Sequence, residues 1–494
     1  MKPLLFITAA ALIAGACNKL TENPSSVIVS SQFYKTPADA VAAVNAVYST
    51  LNSDPAGDFV IYGRNLNLLT GNGSDDQVFS PSNTNPDVRA LGTATYVASN
   101  DRVKKNWQQH YYGISRANVA IDQISKMTID TTLRNRLVRE AKFIRALLYF
   151  NIVRFWGDAP LVLHDPTSVD ADKAKIARSP KDSVYAQIVS DLTDATHLPA
   201  SYGGADLGRA TSGAAHALLA KVYVTRQWWQ QAQNELLLVL TAGTYSGATG
   251  TYGYALYDNY LDAFQKPTKN GKEHVFSVQF ESNLGAKNST QSLSSTNFSS
   301  FNPAVYPGDI PADHLYELFD STDTRRAVTF FTTLYNAATG QTVNFGAPRF
   351  AKFIDYSLSP LTNQAQSGIN FPVIRYADLL LLYAEVQNEL SGGPTPDAYK
   401  AINRVRNRAH VPDLTAGLGQ QAFREAVFLE RRKEFIQEGM RWFDLVRRGG
   451  TVLVDALHAL PAKSAASAKD TLFPIPQAEI DLNPALTQNK GWEQ

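Results

Sequence analysis

One segment dictates what the rest of this chain must supply. Between about Leu133 and Trp156, Leu137, Ala141, Ile144, Leu148, Ile152 and Phe155 recur at the 3–4 spacing of one helical stripe, and Phe143, Leu147 and Phe150 fill a second. A helix apolar on two faces is stable in water only when neighbours cover both, so other helices must pack around it. Gly157-Asp158-Ala159-Pro160 ends it, with a glycine past the last turn and a proline that cannot continue.

Those neighbours are legible. Ala38 to Leu51 carries Val41, Val44, Tyr48 and Leu51 at helical spacing, with Pro37 and Asp39 suited to the first turn. Thr211 or Ser212 can cap a helix whose Gly213, Ala217, Ala220 and Val224 make a side small enough for close approach, and Trp229, Ala232, Leu236 and Leu240 continue on a following helix. Ala377–Leu390 and Ala398–Arg408 repeat the arrangement across Ser391-Gly392-Gly393-Pro394. Helix, short turn, helix is the unit of an α-solenoid; the irregular spacing predicts tetratricopeptide-like hairpins and not a clean 34-residue array. The fold class expected is therefore all-α dominated, a helical hairpin scaffold with long loop-rich insertions and a few short strands. Glu281–Gly308 and Asn336–Gln366, rich in Ser, Asn, Thr and Gly, read as long loops, and Glu273–Phe280 reads as a short strand. The expected division is a helical region over 27–270 and a second over 271–494 with its insert at 281–370, packed together as one unit.

The N-terminus carries an address. Lys2, the apolar run Leu4–Ala14 and the small residues Ala14-Gly15-Ala16 before Cys17 make a secretory signal over 1–16. A run of about eleven residues spans only ~17 Å as a helix, against the ~30 Å core of a bilayer, so it is a leader and not a membrane span. Cys17 is the only cysteine in 494 residues, which excludes a disulfide framework. Small residues directly before it resemble the bacterial lipobox, so Cys17 is expected to be acylated, with 17–26 as a polar tether to the membrane. Charge is nearly balanced, 46 Lys+Arg against 45 Asp+Glu, with no basic block, and nucleic acid is not an expected partner. No metalloprotease, serine-hydrolase or phosphate-loop motif occurs, and the eight histidines lack ligand spacing, so neither a metal nor a cofactor is expected. A glycosidase needs only two carboxylates, and Asp75-Asp76 is the tempting pair; adjacent residues usually point to different sides, which favours a ligand-contact or turn role over catalysis.

A series of short segments, in order, then carries a family resemblance. Trp107, Tyr111, Ile114 and Asn118, Glu140–Ala146, Trp156–Leu161, Arg178 to Leu198-Pro199 and Gly208–Thr211 resemble the N-terminal half of SusD/RagB-type proteins. Ile374–Leu380, Asn403–Ala409, Glu430–Phe435, Gly439–Asp444 and Phe473–Pro476 resemble the C-terminal half. The resemblance implies a nutrient-binding lipoprotein of the outer membrane, exposed at the cell surface, that captures oligosaccharide, or in some members peptide, and serves a SusC-type TonB-dependent transporter. The alternatives are a tetratricopeptide-like assembly lipoprotein facing the periplasm and a lipid-anchored glycosidase.

Within the motifs, Glu140, Arg145, Arg375, Asp378, Arg406, Glu430, Arg431 and Glu434 are read as scaffold, because charges embedded in apolar helices are tolerated when paired. Trp156, Trp442 and Phe473 are read as core anchors. A pyranose presents an apolar face and a hydroxyl rim, so its site needs flat aromatics ringed by amides and carboxylates. Gly71–Asp76, Tyr96–Asn100 and Phe298–Tyr306 have that mixture, and in similar proteins loops in these regions meet the ligand; the candidate contacts are Asp75, Asp76, Tyr96, Asn100, Phe301 and Tyr306. None of the six Trp lies in the insert, so Tyr and Phe would supply the platforms. As loop residues, Asp75 and Tyr306 are expected to matter for affinity and little for stability.

Overall fold

A computed structural model describes residues 33–53, 60–80, 83–165, 175–281, 309–336, 340–358 and 367–493. The leader, Cys17 and its tether, and Phe301 and Tyr306 in the insert, lie outside the described residues.

The described chain forms helices α1 (Pro37–Ser49), α2 (Leu66–Thr70), α3 (Pro86–Gly92), α4 (Asp101–Ile124), α5 (Thr131–Trp156), α6 (Lys181–Ala195), α7 (Ser212–Thr225), α8 (Trp229–Val239), α9 (Arg325–Thr329), α10 (Tyr376–Ser391), α11 (Pro396–Arg408), α12 (Gln420–Phe435), α13 (Arg441–Arg447), α14 (Val452–His458) and α15 (Gln477–Leu482). Six short strands accompany them: β1 (Gln77–Phe79), β2 (His274–Val278), β3 (Asp309–Pro311), β4 (Phe330–Asn336), β5 (Gln341–Phe350) and β6 (Phe371–Arg375).

Helix starts follow the local chemistry. Thr36 and Asp39 form a reciprocal capping box on α1, Thr211 caps α7, and Thr395 caps α11. The doubly apolar helix begins two residues before Leu133, because Asp130 accepts a hydrogen bond from the Leu133 amide and starts the first turn early. It ends at Gly157, whose φ of 72° lies where a side chain would strain the backbone. As its two stripes demand, α5 packs between α4 and α6 and also meets α1. α7 pairs with α8 and α10 with α11, and α10 in turn packs on α8, so the expected helical hairpins form and touch. A single hydrophobic cluster includes Val44, Phe143 and Leu218 from the first half and Leu380, Trp442 and Phe473 from the second. Trp156, Trp442 and Phe473 are all buried in it, as their anchor reading requires.

The loop expected over Asn336–Gln366 needs correction, because residues 341–350 form β5, antiparallel to β4. The segment is polar on one face only. Leu334 and Val343 pair across the ribbon, with Leu334 buried against Ala351 and Ile354, whereas Thr333, Tyr335, Thr342 and Asn344 share the outer face. β2, paired antiparallel with β6, is buried along its whole length, so its alternation does not mark one wet and one dry face.

Candidate ligand-binding face

The Gly71–Asp76 loop leads directly to the point where the described chain resumes after Phe298–Tyr306. β1, directly after the Gly71–Asp76 loop, pairs antiparallel with β3, matching Gln77 with Pro311 and Phe79 with Asp309. The Ala312 amide extends this ladder by donating to the Asp76 carbonyl at 2.9 Å. The insert thus re-enters the described fold beside the N-terminal loop, three residues after Tyr306. β3 also lies against β5, which brings the β4–β5 ribbon to the same place.

The side chains expected at the site mostly face inward. Arg441 clasps Asp75 with two parallel bonds, Nε to Oδ1 at 2.7 Å and Nη2 to Oδ2 at 2.8 Å, and Arg432 Nε donates to Asp76 Oδ1 at 2.8 Å. Asp75 is 6% exposed and Asp76 3%. Burial alone would raise both carboxyls; the hydrogen bonds and charge of Arg441, with Arg432, instead hold Asp75 below the usual range. Asp76 is raised by burial, and the Asp75 charge adds to the shift against Arg432. Lys463 closes the loop from below by donating to the Asn72 and Ser74 carbonyls. The geometry differs from the expectation in two ways: the adjacent aspartates do not diverge but reach one pair of arginines, and Asp75 is a buried, ion-paired residue and not a loosely held loop side chain. The Asp75-Asp76 pair is spent on these arginines.

Tyr96 is buried against Phe473 and Trp492, with ring centroids 5.3 and 5.0 Å away. Burial, followed by the Asp470 charge, pushes its phenol well above 10. Asn100 caps α4, accepting from the Arg102 and Val103 amides and donating to the Asp87 carbonyl. All four described candidates are therefore engaged inside the fold.

Around them, the aromatic surface lies on the ribbon, which sequence reasoning missed. Tyr335 is 60% exposed and stands opposite Thr342, with Thr333 and Asn344 next along the same face. Tyr356, just past β5, is also exposed. A flat ring bordered by hydroxyls and an amide is the chemistry a pyranose needs. The available signal was Tyr335 itself, one residue before the polar segment marked as a functional loop.

Beneath this face the motif charges form closed networks, as their scaffold reading requires. Arg375, with no exposed surface, donates to Glu273 at 2.6 Å, to Glu434 at 2.9 Å and to Glu438 through Nε and Nη2, both at 2.7 Å. Arg325 and Arg408 converge on the same Glu434. Burial would raise that carboxyl, but the three arginines outweigh it and pull it down to about 2. In the first half, Arg145 pairs with Asp191 at 2.8 Å and Arg209 with Glu140 at 2.9 Å. Among the described residues, no group of three or more His, Cys, Asp or Glu is placed to hold a metal ion.

Two family models match the chain: that of the SusD family over residues 321–492, and one described as starch-binding associating with outer membrane over residues 33–224. The chain belongs to the SusD family. SusD-like protein P25 of Formosa agariphila is 28% identical over 528 residues, covering 95% of this chain and 94% of its own. The crystal structure of a SusD superfamily protein from Parabacteroides distasonis matches with a TM-score of 0.78 and 25% identity, over 92% of this chain and 99% of that one. A laminarin-binding SusD-like protein matches with a TM-score of 0.76 and 26% identity, over 93% and 100% of the two chains. The ion-paired helices fall within the two matched segments; the first part of the insert, 281–320, lies between them, and its remainder, with the β4–β5 ribbon, lies inside the second.

Proposed function

We propose that this SusD-family protein binds oligosaccharide at the surface of the outer membrane, held there by acylated Cys17, and delivers it to a SusC-type TonB-dependent transporter. The observation that carries the reading is the exposed Tyr335 face, set on the β4–β5 ribbon beside the point where the insert re-enters the fold. The named relatives add weight: one similar structure is of a laminarin-binding protein, and a more distant relative is the starch-binding protein SusD of Bacteroides thetaiotaomicron. Tyr335 acts as a stacking platform, Thr333, Thr342 and Asn344 supply rim hydrogen bonds, and Phe301 and Tyr306 of the insert complete the contact. Asp75, Asp76, Tyr96 and Asn100 position these loops and do not touch sugar. The protein binds without hydrolysing.

Isothermal titration with β-glucan and α-glucan oligosaccharides tests this, with thin-layer chromatography of the same mixtures. Saturable binding that weakens in Tyr335→Ala, with the oligosaccharides recovered intact, is expected; shortened products would overturn the binding-only reading. Protease shaving of intact cells tests the surface location, since a periplasm-facing protein would survive it.

A further inference from the structure

We infer that the half-open cavity between α5, α7, α10 and α13 binds a small monovalent anion of the halide class at the guanidinium of Arg154. The cavity, of about 60 Å³, is walled by apolar side chains such as Leu147, Leu218, Val224 and Leu382 and by the charged Lys221, Arg431, Glu438, Asp444 and Arg447. A water needs ~10–15 Å³ of such space, so it has room for a halide with a few waters. No residue of the β4–β5 ribbon lines it, so the inference is independent of the glycan reading.

Charge bookkeeping around the cavity points to the anion. Lys221 pairs with Asp378, Arg431 bridges Asp378 and Asp444 at 2.7 and 2.9 Å, and Arg447 joins Asp444 to Glu385. These three cations and three carboxylates balance. Glu438, also on the wall, is taken by Arg375 and Lys352. Arg154 remains: among the described residues no carboxylate pairs with it. Its Nε donates to the Phe150 carbonyl at 2.9 Å and one Nη2 hydrogen to Asn151 Oδ1 at 2.7 Å. The guanidinium is sandwiched between the rings of Phe150 and Phe443, 3.7 and 3.6 Å from their centroids. That geometry fixes the plane and leaves N–H groups at its edge unspent. Burial draws the Arg154 guanidinium down to about 10, which leaves it charged at neutral pH. A half-buried cation fixed between two ring faces, with Asp444 and Asp378 reaching it only at longer range, keeps donors that an anion can take.

Crystals grown in sodium bromide test the site by anomalous scattering, and unfolding midpoints in sodium chloride against sodium gluconate at equal ionic strength test it in solution. A bromide peak at the Arg154 guanidinium is expected, with a midpoint that rises with chloride concentration in the wild type and is flat in Arg154→Met. Only water at the guanidinium, or the same chloride dependence in Arg154→Met as in the wild type, would overturn the inference. Should Arg154→Met fail to fold, the wild-type bromide map decides alone.

Discussion

The C-terminal scaffold and the β4–β5 ribbon solve opposite problems a short distance apart. In the scaffold every charged group of the Arg375 network has a named partner, and Arg375 alone holds Glu273, Glu434 and Glu438. On the ribbon, Thr333, Tyr335, Thr342 and Asn344 face outward, and their identity is not fixed by packing. Buried ions tolerate almost no change because a removed partner strands a charge, whereas an exposed polar face can be rewritten at little cost to the fold. A binding protein built this way can change its ligand without changing its architecture.

The contrast breaks most visibly at its centre. Arg375→Ala leaves three carboxylates without their shared cation and is expected to cost about 3–5 kcal/mol, read from the urea midpoint. Stability within ~1 kcal/mol of wild type would mean that the network is not the clamp described. Asp75→Ala extends the test to the loop beside the ligand face. Stranding Arg441, with weaker support for Arg432, is expected to cost about 2–4 kcal/mol in the same measurement. A loop that merely faced solvent would show almost none of this.

Acid sharpens the comparison next. Burial holds His110 and His274 down to about 4, against 6.5 when exposed. The unfolded chain therefore takes up these protons first, and stability falls as pH drops from about 6.5 towards 4, by roughly 2–3 kcal/mol for each histidine. Glu434, held at about 2 against 4.5, adds a further loss as pH falls from 4.5 towards 2, since its contribution is present in full only above 4.5. Urea midpoints between pH 7 and 4 check the order: a profile flat down to pH 5 would contradict the burial of the two histidines. Glycan affinity at the ribbon is expected to stay constant over the part of this range in which the protein remains folded.

Helical periodicity carried the scaffold well because it is local. The stripes of Leu137 to Phe155 place α5 to within two residues, and the small side of α7 and the Ser391–Pro394 turn locate the hairpins. α12 lacks such a stripe for a physical reason: its buried positions include Glu430, Arg431, Lys433 and Glu434 beside Phe423 and Val427, so polar and buried coincide. Their partners lie far off in sequence, as Glu273 does from Arg375, and no spacing rule reaches across that distance. The candidate face was half legible. Composition marked the Gly71–Asp76 loop, which runs into the β1–β3 pairing, but the same composition cannot tell an aspartate turned to solvent from one clasped by an arginine some 360 positions later. Ribbon β4–β5 was hidden because its outer face mimics a loop.

The smallest perturbation is also the most direct test. Titration of a cognate glycan oligosaccharide into Tyr335→Ala, with the unfolding midpoint measured on the same sample, separates the two regions in one protein. An affinity loss of about 1–2 kcal/mol with stability unchanged to within ~0.5 kcal/mol is predicted, the scale of one aromatic platform on a surface that carries no core. Undiminished binding, or a fall in stability as large as that of Asp75→Ala, would contradict the division between a fixed ion-paired scaffold and a free ligand face.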